Sequence, residues 1–147
     1  NKEFGGWKMT WFDHESEMAV EQPMGSAMLV PRRVIEEIGM LDESFPIFFN
    51  DVDLCRRMHD AGFVLLYYPK AVIEHFVGGS TRRRPTRMVI ESHRSLYRYL
   101  RKYSRPHEYP LLWLCGILLA IGILPRLVWA VLKPKEPTVQ APTSVSR

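Results

Sequence analysis

Cysteine is nearly absent from this chain: Cys55 and Cys115 are the only two in 147 residues, one inside a predicted helix and one inside an apolar segment. Two thiols so placed build neither a disulfide framework nor a zinc-binding spacing, and they fit a reducing, cytoplasmic-side location. No internal repeat is visible, and residues 1–10 show neither a signal pattern nor a helix start. Because residue 1 is Asn1 and not a start methionine, the chain is expected to begin inside a fold. Its length suits one domain with a modest core, or a piece of a larger domain with an appendage. Net charge is +4, but the excess is local. Arg82, Arg83, Arg84, Arg87, Arg94, Arg98, Arg101, Lys102 and Arg105 crowd one stretch just before the most apolar segment, which points to phosphates or anionic headgroups.

Residues 24–30 are a short apolar run that reads as a buried strand closed by Pro31. Proline suits a first helical turn, Val34, Ile35 and Ile38 recur at helical spacing, and Gly39 supplies a stop, so 32–38 is predicted to be a short helix. From Asp51, the residues Val52, Cys55, Met58 and His59 again follow three- and four-residue intervals, with an acidic first turn and Gly62 at the end. Residues 63–68 form an apolar and aromatic run of strand length cut by Pro69, and 71–74 is a shorter β-like piece. This alternation predicts an α/β sheet whose strand-end loops carry function. A further helix over 88–103 sets Val89, Leu96 and Leu100 along one side and arginines along others, as expected of a surface helix.

Residues 111–124 carry no charge, and after Pro125 and Arg126 the apolar segment resumes to Leu132. One helix over 109–132 would run roughly 36 Å, enough for a hydrocarbon core of about 30 Å, provided that Arg126 snorkels near an interface. The segment is expected to span a membrane or to lie in its interface. The basic stretch upstream outweighs Lys133 and Lys135, which places the preceding domain on the cytoplasmic face. The tail, 133–147, is rich in Pro, Ser and Thr and reads as disordered.

Chemistry concentrates at Phe48-Phe49-Asn50-Asp51-Val52-Asp53-Leu54-Cys55, where two carboxylates stand at the point at which an apolar segment becomes a helix. Downstream, Glu74-His75-Phe76-Val77-Gly78-Gly79-Ser80 brings an imidazole and a glycine loop able to approach a phosphate. Carboxylate, histidine and glycine loop together suggest sugar transfer at a metal-bound diphosphate. The ordered series from Gly25-Ser26-Ala27-Met28-Leu29-Val30-Pro31 through Ile38-Gly39-Met40-Leu41-Asp42, Asn50-Asp51-Val52-Asp53, Ala61-Gly62-Phe63 and Tyr68-Pro69 to His75 resembles the family-2 glycosyltransferases. The likeness is greatest to the bacterial rhamnosyltransferase-like members and covers about residues 24 to 80.

The resemblance implies the C-terminal half of a GT-A type fold over 1–106, followed by the membrane or interfacial segment, 107–132. It also implies a nucleotide-diphosphate sugar donor, Mg²⁺ or Mn²⁺, and inversion at the anomeric carbon of a sugar moved to a cell-surface glycan or a polyprenyl-linked acceptor. The aspartate matching Asp51 is then the general base, which must come within about 2.6 to 3.2 Å of the acceptor hydroxyl. Asn50, Asp53, Trp11 and Gly25 fall on the acceptor side. Asp53 points away from Asp51 on a helix and either caps it or supports the acceptor site, and Trp7 and Trp11 either shape the acceptor pocket or pack in the core. Gly78, Gly79, Ser80 and Arg83 would meet the donor diphosphate, although the arginines serve equally as a membrane-facing flank. His75 is either one metal ligand or a plain strand-end histidine.

The chain departs from the family at Asn50, where an acidic residue usually precedes the base. No Asp-x-Asp run stands at a strand end and no βαβ nucleotide unit is present, so this chain alone is expected to be inactive. A rival reading is a non-catalytic membrane adaptor that binds anionic lipid through its arginines. It leaves the spacing of Asp51, Gly62 and His75 unexplained. Nucleic-acid binding is not expected, because no groove-reading motif accompanies the charge.

Overall fold

The computed structural model describes residues 12–75 and 84–132. Within them the order is β1 (Met18–Ala19), α1 (Arg32–Ile38), α2 (Asn50–Asp60), β2 (Leu66–Tyr67), α3 (Pro85–Tyr103), a 3₁₀ turn (Pro106–Glu108) and α4 (Tyr109–Leu132). Both predicted short helices form where the punctuation placed them. Pro31 is the residue before α1, and Gly39 ends it at φ 84. Gly62, at φ 83, follows α2, a left-handed turn that costs glycine little because it has no Cβ.

The core is small and lies between α1, α2 and the β pair. Val20, Val34, Leu54, Cys55, Met58 and Leu65 are buried, with Met28, Val30, Ile35, Ile38 and Phe63 packed against them. The helical spacing of Leu54, Cys55 and Met58 explains why one face of α2 is apolar while Arg56 and Asp60 pair on its exposed side. Strands β1 and β2 are antiparallel, with Met18 opposite Tyr67 and Ala19 opposite Leu66. The Val20 N–H extends the ladder to the Leu65 carbonyl at 2.9 Å.

Three strand expectations are corrected. Residues 24–30 are not a strand: Met24 and Leu29 face solvent while Met28 and Val30 turn inward. Of the run 63–68 only Leu66–Tyr67 forms a strand, with the Leu65 carbonyl adding one bond, and 71–74 forms no strand. Apolar and β-branched composition reports readiness to pack, whereas a strand also needs a neighbouring backbone to accept its hydrogen bonds. Beside 24–30 there is none among the described residues. The fold is therefore mixed helix and strand, and the one sheet among the described residues is a two-stranded antiparallel pair.

Helices α3 and α4 form an antiparallel hairpin. A Cβ on Gly116 would lie 3.0 Å from the Tyr97 ring, which shows how closely they approach. Polar side chains of α3 fasten the hairpin to the rest: Arg98 donates to the Ser44 carbonyl at 2.9 Å, Lys102 pairs with Asp42 at 2.7 Å and with Asp53 at 2.6 Å, and the Tyr103 hydroxyl donates to Asp53 at 2.8 Å. Only Leu112 of α4 is buried. Pro106–Leu132 is the one stretch among the described residues long and apolar enough to cross a membrane.

Candidate functional site

The site is built on the first turn of α2. Phe49 precedes it at φ 68, a left-handed conformation that costs a non-glycine residue about 1–3 kcal/mol. Its ring lies 5.4 Å from that of Tyr99 on α3, a contact that helps hold the turn. The Asn50 side-chain oxygen accepts the Asp51 N–H at 2.8 Å, while Asp51 Oδ1 accepts the Val52 N–H at 2.9 Å and Oδ2 accepts the Gly25 N–H at 3.0 Å. Asp51 is half-buried and makes no ion pair among the described residues. Two backbone amides thus aim its carboxylate without a cation to quench it, and each oxygen keeps a lone pair for a further proton donor.

Gly25 and Asp51 form a matched pair. A Cβ at Gly25 would stand 2.7 Å from the Asp51 Cβ and 3.1 Å from its Oδ2, so any other residue forces one segment to move. If Asp51 does chemistry, Gly25→Ala is expected to lower kcat of the longer protein by about 10²-fold, the size of effect that a shift of about 1 Å produces. Steady-state kinetics beside a melting curve checks this, with little change in Tm expected because Gly25 is exposed. An unchanged kcat would separate Asp51 from the reaction.

Asp53 occupies a different environment. Its side chain is fully buried. Oδ2 accepts from Arg57 Nε at 2.8 Å, and Oδ1 accepts from Lys102 Nζ at 2.6 Å and from the Tyr103 hydroxyl at 2.8 Å. This carboxylate is closed to an acceptor, so the acceptor-binding expectation for Asp53 gives way to a structural tie between α2 and α3. Arg57 continues the tie by donating to the carbonyls of Ile38, Gly39 and Met40 at the end of α1. One guanidinium therefore satisfies the last carbonyl of α1 and the two that follow it, as well as one oxygen of a buried carboxylate.

Protonation follows from these partners. Burial pushes the Asp53 carboxyl up, but hydrogen bonds from Lys102, Arg57 and Tyr103 outweigh it and leave the group below the ordinary carboxylate value. The hydrogen bond from Lys102, helped by Ser44, brings Asp42 down to about 2. Both groups ionise more readily folded than unfolded, so the unfolded chain binds more protons below pH of about 4. Their contribution is fully present above that pH and is expected to be lost as pH falls from about 4 towards 2, which urea unfolding at stepped pH would measure. Burial, with the Asp51 charge second, pushes the Cys55 thiol up to about 11, so it is not a nucleophile at neutral pH.

Of the remaining candidates, only His75 lies among the described residues. His75 is exposed at the edge of the described residues, and no group of three His, Cys, Asp or Glu able to hold a metal occurs among them. A single exposed imidazole does not make a site for Mg²⁺ or Mn²⁺. Trp7, Trp11, Gly78, Gly79, Ser80 and Arg83 lie outside the described residues. Sequence reading missed Lys102 and Tyr103, which reach Asp53 from about fifty positions away. Arg57, at i+4 from Asp53, carried the one local signal. Two open grooves flank the turn: Phe49 lines one with Ser92, His93, Leu118 and Arg126, and Val52 lines another with Glu21, Cys55, Arg56 and His59.

Comparison with known proteins gives this geometry a context. Two curated proteins, the N-acetylglucosaminyl-diphospho-decaprenol L-rhamnosyltransferases of Mycobacterium tuberculosis strains CDC 1551 / Oshkosh and ATCC 25618 / H37Rv, are each 34% identical over 99 residues. The match takes in 67% of this chain and 32% of each relative, so the chain spans about a third of the length of the curated relatives it matches. No solved structure matches. The adaptor reading accounts for the arginines and not for this likeness. The family model described as "Glycosyltransferase like family 2" matches residues 3–98, a stretch that includes Gly25, Asp51 and Asp53. A family-wide GT-A fold accommodates the mixed helix and strand seen here, and the chain belongs to the family-2 glycosyltransferases, rhamnosyltransferase-like in its sequence.

Proposed function

We propose that this chain is the acceptor-side part of an inverting glycosyltransferase, with Asp51 as the general base. The observation that supports it best is the fixed, unpaired carboxylate of Asp51 at the start of α2, aimed by the amides of Gly25 and Val52. In the reaction, an acceptor hydroxyl attacks the anomeric carbon of the donor sugar from the face opposite the diphosphate. Its proton passes to an Asp51 oxygen as the new C–O bond forms and the bond to the diphosphate breaks, the departing diphosphate keeping the electron pair. Asn50 fixes the Asp51 backbone, and its neutral side chain sets no second negative charge beside the base.

The relatives' names suggest the transfer itself, L-rhamnose to N-acetylglucosaminyl-diphospho-decaprenol; to this the proposal adds a nucleotide-diphosphate donor and a place in making a bacterial cell-surface glycan. Mg²⁺ or Mn²⁺ would neutralise the donor diphosphate, with Gly78, Gly79, Ser80 and Arg83 around it. His75 offers at most one ligand, so the chemistry assigned to this chain rests on Asp51. An anchor at α4 keeps the domain near a lipid-linked acceptor, on the cytoplasmic face in this reading. Incubating the longer protein with labelled nucleotide-diphospho-rhamnose and the lipid-linked acceptor tests it directly. Labelled product with inverted anomeric configuration is expected, and retention or no transfer would refute the proposal.

A further inference from the structure

Helix α4 carries one charged side chain, Arg126, in an otherwise uncharged run from Tyr109 to Leu132. A guanidinium in so apolar a helix is costly unless something meets it, and among the described residues it has no ion pair. Snorkelling to a headgroup would be served from any face of the helix. Arg126 instead lines an open groove of about 430 Å³ between α3 and α4, with Leu118 and Gly122 of its own helix and with Ser92, His93 and Leu96 of the other.

The groove has an order along its length. The helices are antiparallel and Tyr97 meets Gly116, so Leu96 stands across from Leu118 while His93 lies further along, towards Gly122 and Arg126. Phe49 lines the groove too, and its contact with Tyr99 puts it at the Leu96 end, two residues before Asp51. His93 is only 7% exposed, and its Nδ1–H donates to the Val89 carbonyl at 2.7 Å. That bond fixes the ring and leaves Nε2 with no partner among the described residues, free to donate to an anion from the protonated ring. One end therefore offers aromatic and aliphatic surface beside the base. The other offers a guanidinium and an imidazole, with Arg126 about 12 Å along α4 from Leu118 at about 1.5 Å per residue.

We infer that this groove receives the lipid-linked acceptor, its sugar beside Phe49 and its diphosphate on Arg126 and His93. The inference rests on the reading of Asp51 as the base, and it names what holds the acceptor away from the reacting hydroxyl. In an acceptor whose sugar bears a polyprenyl diphosphate, hydroxyl, ring and diphosphate follow one another in a line, which is the order of Asp51, Phe49 and Arg126. Beyond Arg126, α4 is apolar again, and exposed Val128, Val131 and Leu132 give the polyprenyl chain its exit. The donor diphosphate does not compete for this place, since it departs on the face opposite the base. A phospholipid carries the anion and the tail but no sugar for the end of the groove at the base's own turn.

Equilibrium binding of radiolabelled N-acetylglucosaminyl-diphospho-polyprenol to the longer protein in detergent tests it. Arg126→Gln is expected to weaken binding by about tenfold or more, the worth of a charge-assisted hydrogen bond. The same glycolipid without its diphosphate should bind the unsubstituted protein about as weakly, and Arg126→Gln should not weaken it further. A second variant, Gly122→Leu, fills the groove from a position where an added Cβ meets nothing within 4 Å. Its melting temperature should hold, because glycine is the poorer helix former, while its affinity for the glycolipid falls at least as far. No binding by the unsubstituted protein, undiminished binding by either variant, or an equal loss for the ligand without diphosphate would overturn the inference. So would displacement of the glycolipid by an equal concentration of phosphatidylglycerol, which would make the groove a general headgroup site. The measurement needs neither donor nor turnover, so its failure is separate from a failure of Asp51 as the base.

Discussion

Asp51→Asn in the longer protein is expected to lower transfer by about 10²- to 10⁴-fold, the range that removal of a general base produces. The substitution is close to isosteric, and the remaining side-chain oxygen still accepts a backbone N–H, so the start of α2 should keep its geometry. Donor affinity should therefore stay within about twofold while kcat collapses. That split is diagnostic: lost donor binding would make Asp51 a binding residue, and an unchanged kcat would leave the reaction without its base on this chain. Chemical rescue offers a second readout. Small carboxylates such as formate should restore part of the activity to Asp51→Ala, as they can occupy the space vacated beside Gly25.

Asp53→Ala is expected to cost about 3 kcal/mol of stability, the lower end of the range for breaking a buried ion pair. Three donors converge on this carboxylate; its removal strands the Tyr103 hydroxyl and takes one partner each from Lys102, which keeps Asp42, and Arg57, which keeps the carbonyls at the end of α1. Because the Lys102 side chain is 34% exposed and Arg57 19%, both recover some hydration, and the lower end of the range applies. Urea unfolding checks the value. The same tie makes a structural statement that catalysis alone would not. A double-mutant cycle between Asp53→Ala and Lys102→Ala should show coupling of about 1–3 kcal/mol, since the two side chains hold α3 on α2. Additive effects would mean that the Asp53–Lys102 pair does not hold α3 on α2.

The two aspartates show how far sequence reading reaches at this site. Asp51 and Asp53 stand two positions apart and look alike as text. Helical geometry separates their directions, so a difference in surroundings was legible, but the donors on Asp53 were not. Lys102 and Tyr103 belong to a helix whose basic character reads locally as a surface property, and nothing in their spacing refers to residue 53. The strands failed for a related reason: Met24 to Val30 has the composition of a buried strand, yet its backbone finds no ladder, and its Gly25 amide serves Asp51 instead.

What the sequence settled by itself is local. Proline and glycine, through their backbone limits, bounded α1 and α2 to within a residue or two; apolar spacing found Cys55 and Met58 on the buried face of α2 but took in the exposed His59 and missed Leu54; an apolar run broken only by Pro125 and Arg126 marked α4; and the ordered motifs carried the family. Tertiary structure alone decided that Gly25 touches Asp51, that Asp53 is a closed tie rather than an open acceptor contact, and that α3 and α4 pack face to face where Tyr97 meets Gly116. These depend on which distant segments share space. Contacts across dozens of residues are selected by the whole chain's packing, and no short window of sequence contains them.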